Sequence, residues 1–243
     1  MAFEGVARTD VGCRRKLNED AVLCRSDLGL WAVADGMGGH RRGEVASALI
    51  VTLLERLPAG DDLDARTADI RRTLIQANAQ LMDMAAEAPG GGAIGATAVV
   101  LAIEGRRFAC LWAGDSRAYQ LRPSGLARLT RDHSLVQLLV DAGELDPAEA
   151  DSHPNAHVVT RAVGADPALA LDMVEGDIAD GDAFLLASDG LTRLVTDEEI
   201  SRGLRRADID SAADDLLGLA LARGAPDNVS LVIVRPVSEP AAS

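Results

Sequence analysis

The sequence predicts an α+β fold in which helices cover antiparallel sheets. Three observations predict it: short apolar runs joined in pairs by tight Gly-containing turns, separate segments with helical periodicity, and no regular strand–helix–strand alternation. Thr97-Ala-Val-Val-Leu-Ala-Ile103 leads through Glu104-Gly-Arg-Arg107 into Phe108-Ala-Cys-Leu-Trp112. Arg117-Ala-Tyr-Gln-Leu121 and Leu126-Ala-Arg-Leu-Thr130 flank Arg122-Pro-Ser-Gly125, a second turn with suitable chemistry. Successive hairpins make an antiparallel meander, whereas parallel strands need long crossovers. A doubly wound parallel sheet is disfavoured.

The helices follow from apolar spacing. Val45 to Leu54 is apolar almost all round, which predicts a helix sandwiched in the core. From Thr67 to Met84 the positions Ile70, Leu74, Ala77, Leu81 and Met84 keep helical spacing. A short helix starts at Ser134, and Ile209, Ala212, Ala213, Leu216, Leu217 and Ala220 form a last stripe. All these stripes read as core. Pro58-Ala-Gly-Asp-Asp62 reads as a turn between helices. Pro89-Gly-Gly-Gly92 reads as a surface loop, since it lacks the Gly-Lys-Ser/Thr ending of a phosphate-binding loop. Residues 132–164, with His133, His153 and His157, are polar and rich in helix breakers; a mobile flap and an ordinary solvated loop both fit them.

With 243 residues the chain fits one domain, expected over residues 1–237 with a short tail at 238–243. Net charge of −14 argues against a broad nucleic-acid footprint, which needs Lys and Arg to neutralise phosphates. No apolar window approaches the ~18 residues of a membrane span, and the N-terminus lacks a secretory apolar core. Cys13, Cys24 and Cys110 are odd in number and unpatterned, so reduced and mostly buried thiols are expected. A cytoplasmic monomer without membrane contact is the expectation.

Function is written in five acidic signatures: Asn18-Glu19-Asp20, Asp35-Gly36, Gly114-Asp115-Ser116, Ser188-Asp189-Gly190 and Asp227-Asn228. Asp35, Asp115 and Asp189 close apolar runs, and Asp227 opens one. A carboxylate at the tip of a buried strand is costly to desolvate unless paired or bound to a metal. Several such tips together would repel one another, and the sequence puts no comparable stock of basic residues beside them. A hard cation with oxygen ligands, Mg²⁺ or Mn²⁺, suits Asp35, Asp189 and Asp227 with carbonyls and waters. Zinc is disfavoured, because neither Cys nor His shows ligand spacing. Asp35 could span two ions while Gly36 lets its own carbonyl approach one of them. Two ions would generate hydroxide near neutral pH and stabilise a transferring phosphoryl group. No rival nucleophile stands in a Gly-x-Ser-x-Gly or Cys-x5-Arg context.

With these motifs in order, the chain resembles the metal-dependent PPM (type 2C) protein serine/threonine phosphatases in their compact bacterial form. The likeness runs from Ala7 to Pro236: Thr9 to Asp20, Val33-Ala-Asp-Gly-Met-Gly-Gly-His40, Ile94-Gly-Ala-Thr-Ala98, Ala113-Gly-Asp-Ser-Arg117, Leu129-Thr-Arg-Asp-His-Ser134, Val159-Thr-Arg-Ala-Val-Gly164, Leu186-Ala-Ser-Asp-Gly-Leu191 and Pro226-Asp-Asn-Val-Ser230. The resemblance implies an α-β-β-α sandwich, two antiparallel sheets flanked by helices, with a flap at 132–164. It implies that Asp35 bridges two Mn²⁺ or Mg²⁺ ions with the Gly36 carbonyl on one, and that Asp189 and Asp227 complete the other. Glu19 and Asp20 would hold metal-bound waters or sit in the next layer of ligands. Asp115, with Asp189, would form a third and weaker ion site. Arg15 falls at the phosphate-binding arginine, although spacing alone does not separate it from Arg14 and Lys16. Met37 stands where some eukaryotic relatives carry a histidine proposed as general acid, so that proton would come from a metal-bound water or another group such as His40, which equally reads as a surface residue.

The implied activity is hydrolysis of phosphoserine and phosphothreonine by a metal-activated water. The implied partners are phosphorylated proteins and a cognate serine/threonine kinase. His133-Ser-Leu-Val-Gln-Leu-Leu-Val-Asp-Ala-Gly-Glu-Leu145 and Thr160-Arg-Ala-Val-Gly164 look like phosphatases paired with bacterial kinases, some of which regulate type VI secretion. Two other classes were weighed: a catalytically silent phosphoprotein-binding regulator, and a two-metal phosphodiesterase or nuclease. The first needs a broken carboxylate set, and the second a basic groove.

Overall fold

The computed structural model describes residues 1–38, 42–60, 62–87 and 92–237. Two antiparallel sheets organise it. Strands β1 (Phe3–Asp10), β7 (Arg117–Arg122), β8 (Gly125–Arg128), β10 (Ala183–Ala187) and β11 (Val229–Pro236) form one antiparallel sheet in the order β1-β11-β10-β7-β8. Strands β2 (Asp20–Arg25), β3 (Leu30–Met37), β5 (Ala98–Glu104), β6 (Arg107–Ala113) and β9 (Asp172–Asp177) form the other in the order β2-β3-β5-β6-β9, with the two-residue β4 (Gly95–Ala96) beside β3.

Alternate side chains of the central strands enter different cores. Trp31, Val33, Val99, Leu101, Phe184, Leu186, Val232 and Val234 meet between the sheets. There Phe108 and Phe184 cross edge to face, with ring centroids 5.1 Å apart. Ala32, Ala34, Ala98, Val100 and Ala102 face outward, where small side chains admit the buried Ile50 and Leu54 of α1 (Arg42–Glu55). Ile70, Leu74, Ala77 and Leu81 of α2 (Leu63–Glu87) complete that layer. On the opposite outer face, Leu185, Leu231 and Ile233 pack under α5 (Asp197–Leu204) and α6 (Ile209–Ala222), through Ile200, Leu204, Ala213 and Leu216. Helix, sheet, sheet and helix are thus stacked, as the resemblance implied. Strands covered on both faces read as unbroken apolar runs.

Both expected hairpins are present, β5 with β6 and β7 with β8. The helices at 45–54, 67–84 and 209–220 lie within α1, α2 and α6, and the short one is α3 (Leu135–Asp141). One expectation is corrected: α1 is not sandwiched. Val45 is 43% exposed, and the helix buries a single face through Ala46, Ser47, Ile50 and Leu54. The thiols are free, but only Cys110 is buried; Cys13 is exposed and Cys24 half-buried. The glycine run at 89–92 and His40 fall largely or wholly outside the described residues.

The layered packing predicts a cost for opening it. Leu74→Ala removes a side chain with no exposed surface from the seam between α2 and its sheet. The expected loss is about 2–5 kcal/mol of stability, read as a lower urea midpoint at unchanged m-value.

Candidate active site

Every acidic signature reaches the same edge of the sandwich, because each sits at a strand end or in the turn beside one. Asp20 opens β2 and is paired in register with Asp35 of β3. Asp115 follows β6, Asp189 begins the one-turn helix α4 (Asp189–Thr192) after β10, and Asp227 precedes β11. Asp35 and Asp189 lie close enough for each to feel the other's charge. Burial pushes the Asp35 carboxyl well above its ordinary range, reinforced by the charges of Asp20, Asp189, Asp115 and Asp227. Burial likewise raises Asp20 and Asp115 to about 7, and Asp189 in direction. Among the described residues, no three Asp, Glu, His or Cys side chains close around a common point. The carboxylates converge in pairs, and oxygen is the only donor type they offer.

Main-chain and hydroxyl contacts hold this arrangement against its own repulsion. Asp35 is fixed from both sides of its peptide: its N–H donates to Thr97 Oγ1 at 3.1 Å, and its carbonyl accepts from Thr97 N–H at 2.8 Å. Thr97 Oγ1 in turn lies 2.7 Å from Ser116 Oγ. Ser188 Oγ donates to Asp20 Oδ2 at 2.9 Å, whereas Asp20 Oδ1 is buried with no partner. Asn228 ties down the loop carrying Glu19: its Oδ1 accepts from the Glu19 N–H at 2.8 Å, and its Nδ2 donates to the Val11 and Leu17 carbonyls, each at 2.9 Å. Ser47 on α1 donates to the Glu19 carbonyl at 2.6 Å. Two glycines permit the close packing. A Cβ on Gly36 would lie 2.1 Å from the Gly43 carbonyl oxygen, and one on Gly190 would lie 1.9 Å from the Asn228 carbonyl oxygen.

Two arginines answer part of the charge, one of them the Arg15 that the resemblance singles out. Arg15 Nη2 lies 2.7 Å from Asp227 Oδ2 and feels Glu19 and Asp35 as well. The structure therefore brings Arg15 to the cluster. Arg193 Nε lies 3.0 Å from Asp189 Oδ2, with Nη2 3.7 Å from Asp115 Oδ2. Nothing in the motifs singles Arg193 out. Its one usable signal is the four-residue step from Asp189, which stacks the pair on a helical turn. Glu19 completes the edge, with Oε1 2.7 Å from where a Cβ on Gly43 would stand.

Residues 132–164 are rooted beside this edge. Leu135 N–H donates to the Val158 carbonyl at 2.8 Å, and Thr160 N–H to the His133 carbonyl at 2.7 Å. His133, which sequence reasoning left without a role, anchors the root. Its Nδ1 accepts from the Gly114 N–H at 3.2 Å, so its proton belongs on Nε2, 3.2 Å from Asp172 Oδ2. Its ring stacks on Trp112 at 6.1 Å.

The architecture and the comparisons with known proteins meet here. Residues 8–138 match the family model of protein phosphatase 2C. The chain belongs to that family. It is 39% identical over 238 residues to the serine/threonine protein phosphatase PstP of Mycobacterium tuberculosis, a match covering 96% of this chain. The match covers 45% of PstP, so the chain spans about half the length of that relative. The solved structure of PppA, described as a key regulatory component of T6SS in Pseudomonas aeruginosa, superposes with a TM-score of 0.89 at 42% identity, over 97% of this chain and 98% of that one. The catalytic domain of PstP in complex with 2 manganese ions superposes with a TM-score of 0.81 at 36% identity, over 96% and 97% of the two chains. The protein phosphatase 2C fold is thus present in this chain.

The His133 anchor carries a pH signature. Burial lowers the affinity of His133 for a proton below its ordinary value. The folded state therefore binds fewer protons than the unfolded state near pH 6.5, and stability is lost as pH falls through that range. His133→Phe keeps the stack on Trp112 and does not titrate. The stability advantage of the wild type over this variant is expected to shrink between pH 7.5 and 5.5, measured as paired urea midpoints. A difference that stays constant with pH would contradict the buried neutral imidazole.

Proposed function

We propose that the chain is a Mn²⁺- or Mg²⁺-dependent protein phosphatase that hydrolyses phosphoserine and phosphothreonine monoesters. The observation that carries this reading is the convergence of Asp20, Asp35, Asp115, Asp189 and Asp227 on one edge of the sandwich, with two guanidinium groups beside them. The donor set fits hard cations: it offers oxygen only, it is under-neutralised, and Asp20 Oδ1 is a buried acceptor still without a partner. Bound ions would acidify a coordinated water and neutralise charge on the transferring phosphoryl group.

In this reading Asp35, the Gly36 carbonyl, Asp189 and Asp227 would hold the ions through oxygen donors alone. Glu19 and Asp20 hold water, with Asp20 Oδ1 accepting an O–H. Asp115 stands at the far side with Asp189. Arg15 binds the phosphate oxygens of the substrate. Its present partner suits that task, because the Arg15 and Asp227 side chains are 49% and 36% exposed. A pair so exposed is worth about 0–1 kcal/mol, so the guanidinium can exchange Asp227 for a bidentate phosphate at small cost.

The single catalytic domain is read as residues 1–237, acting as a cytoplasmic monomer opposite a serine/threonine kinase. The likeness to PppA supports a role in regulating type VI secretion. Among the described residues, no helix is long and apolar enough to cross a membrane.

Manganese-dependent release of phosphate from a phosphothreonine peptide is expected to vanish in EDTA. Asp35→Asn and Asp227→Asn are expected to lower kcat by about a hundredfold or more, corresponding to several kcal/mol of lost charge stabilisation. Undiminished turnover in chelator would remove the metal from the mechanism. Faster cleavage of bis-p-nitrophenyl phosphate than of the peptide would point to a phosphodiesterase. Arg15→Ala is expected to raise KM for a phosphate monoester far more than it lowers kcat, and unchanged kinetics would take Arg15 out of the site.

A further inference from the structure

Arg193 stands at the C-terminal end of α4 and touches three things at once. Besides its contacts with Asp189 and Asp115, its Nη2 donates to the Ala156 carbonyl at 2.9 Å. One guanidinium therefore joins two carboxylates of the cluster to the 132–164 segment. It lines a cavity of about 20 Å³, together with Asp115, Asp132, Ser134, Asp189 and Thr192. That is room for one water or one small ion. Thr192 Oγ1 is buried there without a partner. Asp132, the remaining carboxylate of the cavity, is already held by Arg117, with Nη2 at 2.7 Å and Nε at 3.1 Å from its oxygens.

We propose that Arg193 is a built-in cation at the Asp115–Asp189 pair: it takes the place of a third divalent ion and straps the 132–164 segment to the site, so that ion and strap exclude each other. This rests on the two-ion reading above. A guanidinium does not lose its proton in a protein, so its charge in this pocket is permanent. A divalent ion entering the same small cavity would meet that charge within a few ångströms in a poorly screened setting. Binding would require the guanidinium to leave, and the Ala156 contact would leave with it. The planar fork suits the position, since Nε faces one carboxylate while Nη2 reaches the other and the carbonyl. A lysine ammonium supplies the charge, but not three contacts in this geometry.

Manganese alone is the probe. Equilibrium dialysis with metal analysis is expected to give two ions per wild-type chain and three per Arg193→Gln chain. Hydrogen exchange at the Ala156 and Val158 amides, which donate to the His153 and Asn155 carbonyls, is expected to rise about tenfold or more in that variant. Arg193→Lys, which keeps the charge, is expected to stay at two ions. Three ions on the wild type, two on Arg193→Gln, or a third ion gained equally by Arg193→Lys would each overturn the exclusion. Unchanged amide exchange would overturn the strap. Should Arg193→Gln fail to fold, the wild-type count and the lysine variant still decide. A wild-type chain that binds no manganese sinks the two-ion reading itself, an outcome distinct from a wrong count.

Discussion

Like charges gathered at the rim of an apolar sandwich are the constraint that the rest of this structure serves. Asp20 and Asp35 face each other across adjacent strands, a pairing that is unfavourable on its own. Asp115 is buried and Asp189 half-buried, each near a further carboxylate. Such a cluster persists only if the frame cannot yield where it would most like to spread apart. Here the frame is two sheets whose central strands are covered on both faces, so any outward shift of a strand end opens an apolar core. Stability is drawn from the layers, and the strain is concentrated at one edge.

That edge is assembled from backbone as much as from side chains. Asn228 satisfies groups on both sides of the loop at residues 11–19, and so couples the N-terminal carboxylates to the C-terminal one. Ser188 and Ser230 link Asp20 to the sheet formed by β10 and β11. The hydroxyls neutralise nothing, but each supplies a hydrogen bond to a group that burial has stripped of water. The glycines at 36 and 190 are needed for the same reason: backbone carbonyls lie where a side chain would begin. Residues distant in the sequence are thereby locked into one rigid rim.

Much of this was legible in the chain. The aspartates marked themselves by ending or opening apolar runs, and the hairpins by their turn chemistry. Less legible were elements whose patterns are weak. β1 and β9 run along sheet edges, with burial that never becomes complete, so their sequences lack a clean apolar run. Helix α5 is announced only by the capping box of Thr196 and Glu199 at its start, since its eight residues are too short for a clear apolar period. The apolar wrap of Val45 to Leu54 suggested burial all round, yet only one face meets the sheet. Sequence cannot say how many partners a helix has. Arg193 was invisible for a different reason: its meaning depends on Ala156, which only the folded 132–164 segment brings near.

The two arginines of the site show how one side chain type can play opposite parts according to its surroundings. Arg15 holds an exposed aspartate on the rim, where solvent screens the pair and makes it easy to exchange. Arg193 sits lower, with its side chain 32% exposed, against carboxylates of which Asp115 is 7% exposed and Asp189 18%. Removing a partner from such a setting strands a charge in a poorly hydrated place. The Arg15 guanidinium is therefore the one that solvent and its ions reach more freely. Arg193 instead joins Asp189 to Asp115 within the cluster.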